Sequence, residues 1–240
     1  MALTEKPPAR DAFEELGPPV PLATVLGLFG AALVGALGAA WLLPAWAPAL
    51  AQSLDGADGK AAWFLSRASG LVAYLLTAAS MLFGLLLGTR LSKVWPGPPA
   101  AFALHQHTSL LGLAFALFHA LVLLGDSHLH PSWVALAVPF ALAHPARVAI
   151  GLGQVAFALG LPVALSFWVK KRLGPRAWKR LHFAAFAVFA LALGHGLAAG
   201  SDASRPWVFG LYLATGGAVL FLTLVRGLGA LAGPKTPARA

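Results

Sequence analysis

Apolar runs of twenty or more residues recur along the chain, separated by short clusters of proline, glycine and charge. A run of that length matches the ~30 Å hydrocarbon core of a bilayer, so the pattern predicts membrane-spanning helices. Six spans are expected, at about 21–43, 66–88, 101–124, 147–169, 179–199 and 206–228. The polar residues 1–18 (MALTEKPPARDAFEELGP) contain three prolines and read as a flexible tail. Residues 19–62 hold the first span and an outer loop, residues 63–228 the main body, and residues 229–240 a basic tail. The third connection, 125–146, includes "PSWVALAVPFALA", which is too short to cross and reads as an interfacial segment on the outer face. The fold class predicted is therefore all-α, an integral membrane bundle of six helices.

Lysine and arginine orient the bundle. With a cytoplasmic N-terminus, the inner segments hold Lys6, Arg10, Arg90, Lys93, Lys170, Lys171, Arg172, Arg176, Lys179, Arg180, Arg226, Lys235 and Arg239. The outer segments hold only Lys60, Arg67, Arg147 and Arg205. The positive-inside rule thus places both termini in the cytoplasm and the chain in the cell inner (cytoplasmic) membrane. All eight tryptophans fall near span ends or in connections, as an aromatic belt requires. Residues 44–52, PAWAPALAQ, contain an Ala-x-Ala pattern, but the acidic, long segment before the apolar run argues against cleavage there. Cleavage would leave five spans and the same histidines.

Composition agrees: 59% of the 240 residues are hydrophobic and 10% charged, whereas soluble domains carry about a quarter charged residues. The net charge of +9 reads as cytoplasmic loops in a bilayer and not as a nucleic-acid footprint. Cysteine is absent, which excludes disulfides, thiolate metal sites, iron–sulfur clusters and covalent c-type haem. A cofactor here must be held by other ligands, and with two methionines in the chain histidine is the main candidate.

Ionisable groups inside a bilayer are costly and mark function. His105, His107 and His119 lie in the third span, His182 and His195 in the fifth. The two spans run in the same direction. His105 and His182 sit near the cytoplasmic ends, His119 and His195 nearer the outer ends. The pairs are separated by roughly 20 Å along each helix. Two helices would so offer two histidine pairs at matched depths, suited to two planar cofactors each taking an axial imidazole from either side. The wheel is uneven: fourteen residues return to within about 40° of the same face, thirteen land about 140° away. His107 is the rival inner ligand, about 120° from His119. A proton relay, a transition-metal path and structural histidines are the competing readings.

The spacings His105-x13-His119 and His182-x12-His195 resemble the ferric reductase-like transmembrane domain, which includes NADPH oxidases, ferric reductases and the haem subunit of the methionine sulfoxide reductase system. Further resemblance to stand-alone bacterial members lies in "LSRASGLVAYLLTAASMLFGLLLG" (65–88), "HQHTSLLGLAFALFHALVLL" (105–124), "GLGQVAFALGLPVALSF" (151–167) and "RLGPRAWKRLHFAAFAVFALALGHGLAAGSD" (172–202), and covers roughly residues 63–228. It implies two haem b groups, the inner on His105 and His182 and the outer on His119 and His195. The methionine sulfoxide reductase subunit tends to carry arginine where His105 stands, so this chain is more similar to the four-histidine branch. Haem propionates would need cations. Arg67, Arg147 and Arg205 are the outer candidates and Arg90, Arg176, Lys179 and Arg180 the inner ones.

No dinucleotide fingerprint is present, and about twelve residues follow the sixth span. The expectation is an oxidoreductase component without its own NAD(P)H/flavin domain. It would take electrons from a separate flavoprotein or a membrane quinol and deliver them to an outer-face acceptor. A quinol-linked haem anchor of a periplasmic oxidoreductase is the near alternative, and a haem-free metal or proton transporter the distant one. His128, His130 and His144 with Asp126 are weak candidates for an outer metal site.

Overall fold

The computed structural model describes residues 21–49, 60–89, 95–126, 129 and 131–231. These residues form helices and turns, with no strand among them. In chain order the helices are α1 (Leu22–Trp46), α2 (Ala61–Leu87), α3 (Pro98–Val122, continued by a 3-10 turn Leu123–Gly125), α4 (Trp133–Ala137), α5 (Arg147–Ala199) and α6 (Pro206–Leu231). Four of them (α2, α3 with its 3-10 turn, α5 and α6) are long and apolar enough to cross a membrane, the mark of a multi-pass membrane protein.

α5 departs most from the expected elements. A polar loop was expected to separate the fourth and fifth spans, yet helix runs from Arg147 to Ala199 with one interruption, Gly174, at φ 75° and ψ 161°. A straight helix of 53 residues would reach roughly 80 Å, far beyond a hydrocarbon core. Gly174 instead reverses the chain in a conformation that essentially only glycine adopts. Pro175 then opens the second limb, where its fixed φ and missing N–H cost nothing. Contacts across the hairpin step in antiparallel register. The Trp178 Nε1–H donates to Ser166 Oγ at 3.2 Å, Gly160 faces Val188, and the His195 Nδ1–H donates to the Ala149 carbonyl at 2.8 Å. The limbs are residues 147–173 and 175–199.

α2 is the central helix. On one side it packs along α3, where Gly112 admits Leu76 and Thr77 close to the α3 backbone. On the other side Tyr74, Ala78, Met81 and Leu85 join Phe189 of the second α5 limb and Val208, Tyr212, Val219 and Leu222 of α6 in the buried core. Tyr74 stacks on Phe189, meets Tyr212 edge-on at 4.8 Å, and its hydroxyl lies 2.6 Å from Thr215 Oγ1. This places the phenol's polar end on a partner, as burial in an apolar bundle demands.

The outward faces are apolar. On α3, Leu104, Leu111, Phe115 and Phe118 are exposed at helical spacing, on a face about 90° around the helix from His105 and His119. On α6 the exposed stripe includes Leu213, Leu220, Phe221 and Leu224. In water such surfaces would associate; in lipid they are the solvent-matched face. α4 begins at Ser132, whose Oγ accepts the Ala135 N–H. Trp133, Val134, Val138 and Phe140 of this segment are exposed, with the Phe140 ring packed over Gly151.

Candidate functional site

α2, α3 and both limbs of α5 surround a cavity of about 1410 Å³. Its wall carries His105, His119, His182 and His195. They meet in two pairs. The His105 and His182 ring centroids are 5.9 Å apart with planes at 77°, and those of His119 and His195 are 6.1 Å apart at 72°. The two levels are separated by the fourteen-position step from His105 to His119, about 21 Å along α3.

α2 holds the α3 histidines with a repeated device. His119 Nδ1–H donates to the Ser66 carbonyl at 2.7 Å, and Ser66 Oγ donates back to the His119 carbonyl at 3.2 Å. His105 Nδ1–H donates to the Ser80 carbonyl at 2.8 Å, and Ser80 Oγ sits 3.1 Å from the same nitrogen. Four residues further on, Gly70 and Gly84 open the surface beneath the rings. A Cβ at Gly70 would lie 2.7 Å from His119 Nδ1, and one at Gly84 would lie 3.1 Å from the His105 ring. Ser66-x3-Gly70 and Ser80-x3-Gly84 are fourteen residues apart, matching the histidine spacing on the antiparallel α3. Ser109 Oγ adds a bond to the His105 carbonyl at 2.7 Å.

On α5, His195 follows the same scheme by a different route. Its Nδ1–H donates to the Ala149 carbonyl and its ring lies over Gly153, where a Cβ would approach to 2.8 Å. His182 instead stacks on Trp178, with ring centroids 5.2 Å apart and planes at 22°. The 140° between these two positions on the wheel thus persists as a difference in support. His195 leans on the first limb across the hairpin, and His182 leans on its own helix; both rings reach the cavity.

A carbonyl can only accept, so the Nδ1 of His105, His119 and His195 carries the proton. Each leaves the Nε2 lone pair available to a metal, the arrangement that second-shell acceptors impose on ligating histidines. His107 lies on the exposed face of α3, where its Nδ1–H donates to Ala103 at 2.7 Å, and it is not in the cavity wall. Gln106 is in that wall, 8% exposed, and its side-chain amide has no partner among the described residues.

Arg67 lines the cavity at the His119/His195 end, with its guanidinium 4.1 Å from the Trp63 ring centre. It is ion-paired to Asp202, which Arg205 also binds at 2.7 Å. The hydrogen bond from Arg67, reinforced by the charges of both arginines, holds the Asp202 carboxyl below the usual carboxylate range. Arg147 is exposed and outside the wall. At the other end Arg176, Lys179 and Arg180 are exposed, and the Arg226 guanidinium lies against Gly88; Arg90 lies outside the described residues.

The outer metal candidates do not assemble among the described residues, which contain no group of three metal-binding side chains. His144 lines the cavity and accepts the Ala146 N–H through Nδ1, and buried Asp126 accepts the Leu129 N–H. His128 and His130 lie outside the described residues.

Sequence reasoning missed Ser66, Ser80, Gly70, Gly84, Gly153, Trp178 and Asp202. The serine–glycine repeat on α2 was visible as a spacing; the others depend on contacts across the fold. Compared with known proteins, the chain matches no family model, no curated protein and no solved structure.

Proposed function

We propose that this chain is a transmembrane electron-transfer protein holding two haem b groups, one on His105 and His182 and one on His119 and His195. The observation that carries this is the pair of facing histidines at two levels of one cavity. Two imidazoles binding one iron from opposite sides, at ~2.0 Å per bond, set their centroids roughly 6.3 Å apart. The separations of 5.9 and 6.1 Å come close to that. Each level offers two nitrogen donors, whereas a metal held by protein alone takes three or four. The remaining ligands would come from a macrocycle. The buried, unsatisfied amide of Gln106 also favours a bound polar group in this wall, since such a group left unpaired costs about 1–3 kcal/mol.

Bound haem supplies one-electron chemistry; the protein's own residues orient and tune it. Ser66, Ser80 and Ala149 fix the protonated face of three imidazoles and raise their basicity as ligands. Gly70, Gly84 and Gly153 let those rings lie against neighbouring backbone. Arg67 and Arg205 supply cationic charge where an outer propionate would sit, with Asp202 holding both guanidiniums in place.

The bundle in this reading crosses the inner (cytoplasmic) membrane six times, the two limbs of α5 counting as separate spans, with both termini cytoplasmic. Lys170, Lys171, Arg172, Arg176, Lys179 and Arg180, all around the α5 reversal, support that orientation. Electrons would enter at this basic end from a flavoprotein or membrane quinol and leave at the Arg67 end to an outer acceptor. This makes the chain an oxidoreductase component of the ferric reductase-like type, its other contacts being the lipid bilayer and no nucleic acid.

An optical spectrum of detergent-purified protein, oxidised and reduced, with haem b counted per chain, tests the proposal. Two low-spin haems per chain are expected. One haem would restrict the reading to a single pair. None, after haem-supplemented expression, would overturn it and favour a proton or metal transporter.

A further inference from the structure

Three of the four paired histidines are anchored by a carbonyl: His105 by Ser80, His119 by Ser66 and His195 by Ala149. His182 is held differently. Its Nδ1 is buried and has no hydrogen-bond partner among the described residues. Four residues earlier on the same limb, Trp178 lies nearly parallel to the imidazole, with 5.2 Å between centroids. The indole is pinned in turn. Its Nε1–H donates across the hairpin to Ser166 Oγ at 3.2 Å, and Ser166, 2% exposed, donates to the Val163 carbonyl at 2.7 Å.

We propose that Trp178 is the positioning residue of His182, supplying through ring stacking, with Ser166 behind it, the orientation that a backbone carbonyl supplies to the other three histidines. An imidazole without a hydrogen bond is free about χ2, whose preference is broad. A stacked aromatic face removes that freedom without taking the Nδ1 proton. The consequence is chemical as well as steric. A carbonyl on Nδ1–H raises the basicity of the ligating nitrogen; a stacked ring does not. The His119/His195 level therefore has two electron-enriched imidazoles and the His105/His182 level one, so the two sites are inequivalent by construction. What the rings bind rests on the two-haem proposal; how His182 is oriented does not.

The test uses full-length protein in detergent, loaded with haem, with the variants Trp178→Leu, Trp178→Phe and Ser166→Ala. Redox titration and low-spin electron paramagnetic resonance read the two sites separately. Trp178→Leu is expected to shift one midpoint potential and one resonance and leave the other pair unmoved. Trp178→Phe, which keeps a stacking ring but loses the bond to Ser166, and Ser166→Ala, which loses the same bond, should each move that same site by less than Trp178→Leu. Both sites unmoved in Trp178→Leu, or both moving together, would overturn the proposal. If Trp178→Leu does not fold, Ser166→Ala decides: a shift confined to one site supports the assignment and two unmoved sites overturn it. Wild-type protein without haem would defeat the two-haem reading alone. The stack would then be read in apoprotein from the His182 ring protons, displaced upfield by the indole ring current. Loss of that displacement in Trp178→Leu supports the positioning role, and identical spectra in wild type and variant overturn it.

Discussion

At the scale of single residues, the site is made by what is left out as much as by the histidines. Gly70 and Gly153 each leave room for an imidazole that a methyl group would displace, with Cβ distances of 2.7 and 2.8 Å to the ring, whereas Gly84 is less tight at 3.1 Å. On the two-haem reading proposed above, Gly70→Ala and Gly153→Ala should each lose the haem of the His119/His195 level, halving haem per chain in a pyridine haemochrome assay. Gly84→Ala should retain haem at the other level with a weakened hold. Gly217→Ala, where a Cβ meets nothing within 4 Å, is the control and should bind as wild type. The repeat Ser66-x3-Gly70 and Ser80-x3-Gly84 was legible as a pattern, but its meaning was not. A serine and a glycine four apart on a helix point to no ligand until the antiparallel alignment with α3 puts both beside a histidine.

At the scale of elements, α5 is the decisive piece. Its two limbs bring His182 and His195 opposite α3, and the reversal depends on Gly174 at φ 75°. Open space surrounds a Cβ there, so the strain of Gly174→Ala is purely conformational, of about 1–3 kcal/mol. The expected result is a lower melting temperature in detergent and, on the two-haem reading, both levels weakened together. Loss of a single level would show instead that the limbs move independently. The apolar periodicity located both limbs to within a few residues. It did not foresee that helix would continue to the turning residue, because the charged stretch around Gly174 reads as loop on polarity and yet contains good helix formers.

At the scale of the whole molecule, the bundle is tied at the Arg67 end by a cluster linking α2 to the turn between α5 and α6. Asp202 titrates below the ordinary carboxylate value of ~3.9, so its contribution to stability is fully present above that value and is lost as pH falls through the lowered one. Thermal melting should therefore be insensitive to this group between about pH 5 and 8 and should fall only in stronger acid. Asp202→Asn should melt lower at neutral pH and lose that acid-side decline. A decline centred above pH 5 that disappears in the variant would contradict the assignment.

The sequence by itself determined the all-helical class, the approximate positions of the long apolar helices and the two of them that carry the paired histidines. Those depend on composition and on a periodicity local to each segment. The tertiary structure decided which histidine faces which, that His107 stays outside the cavity, and that Trp178 and not a carbonyl supports His182. It also decided that Asp202 occupies Arg67, 135 residues away along the chain. Pairings of this kind are set by the relative tilt and register of helices packed side by side. No local pattern encodes that register; it is fixed only when small residues on one helix meet large rings on another.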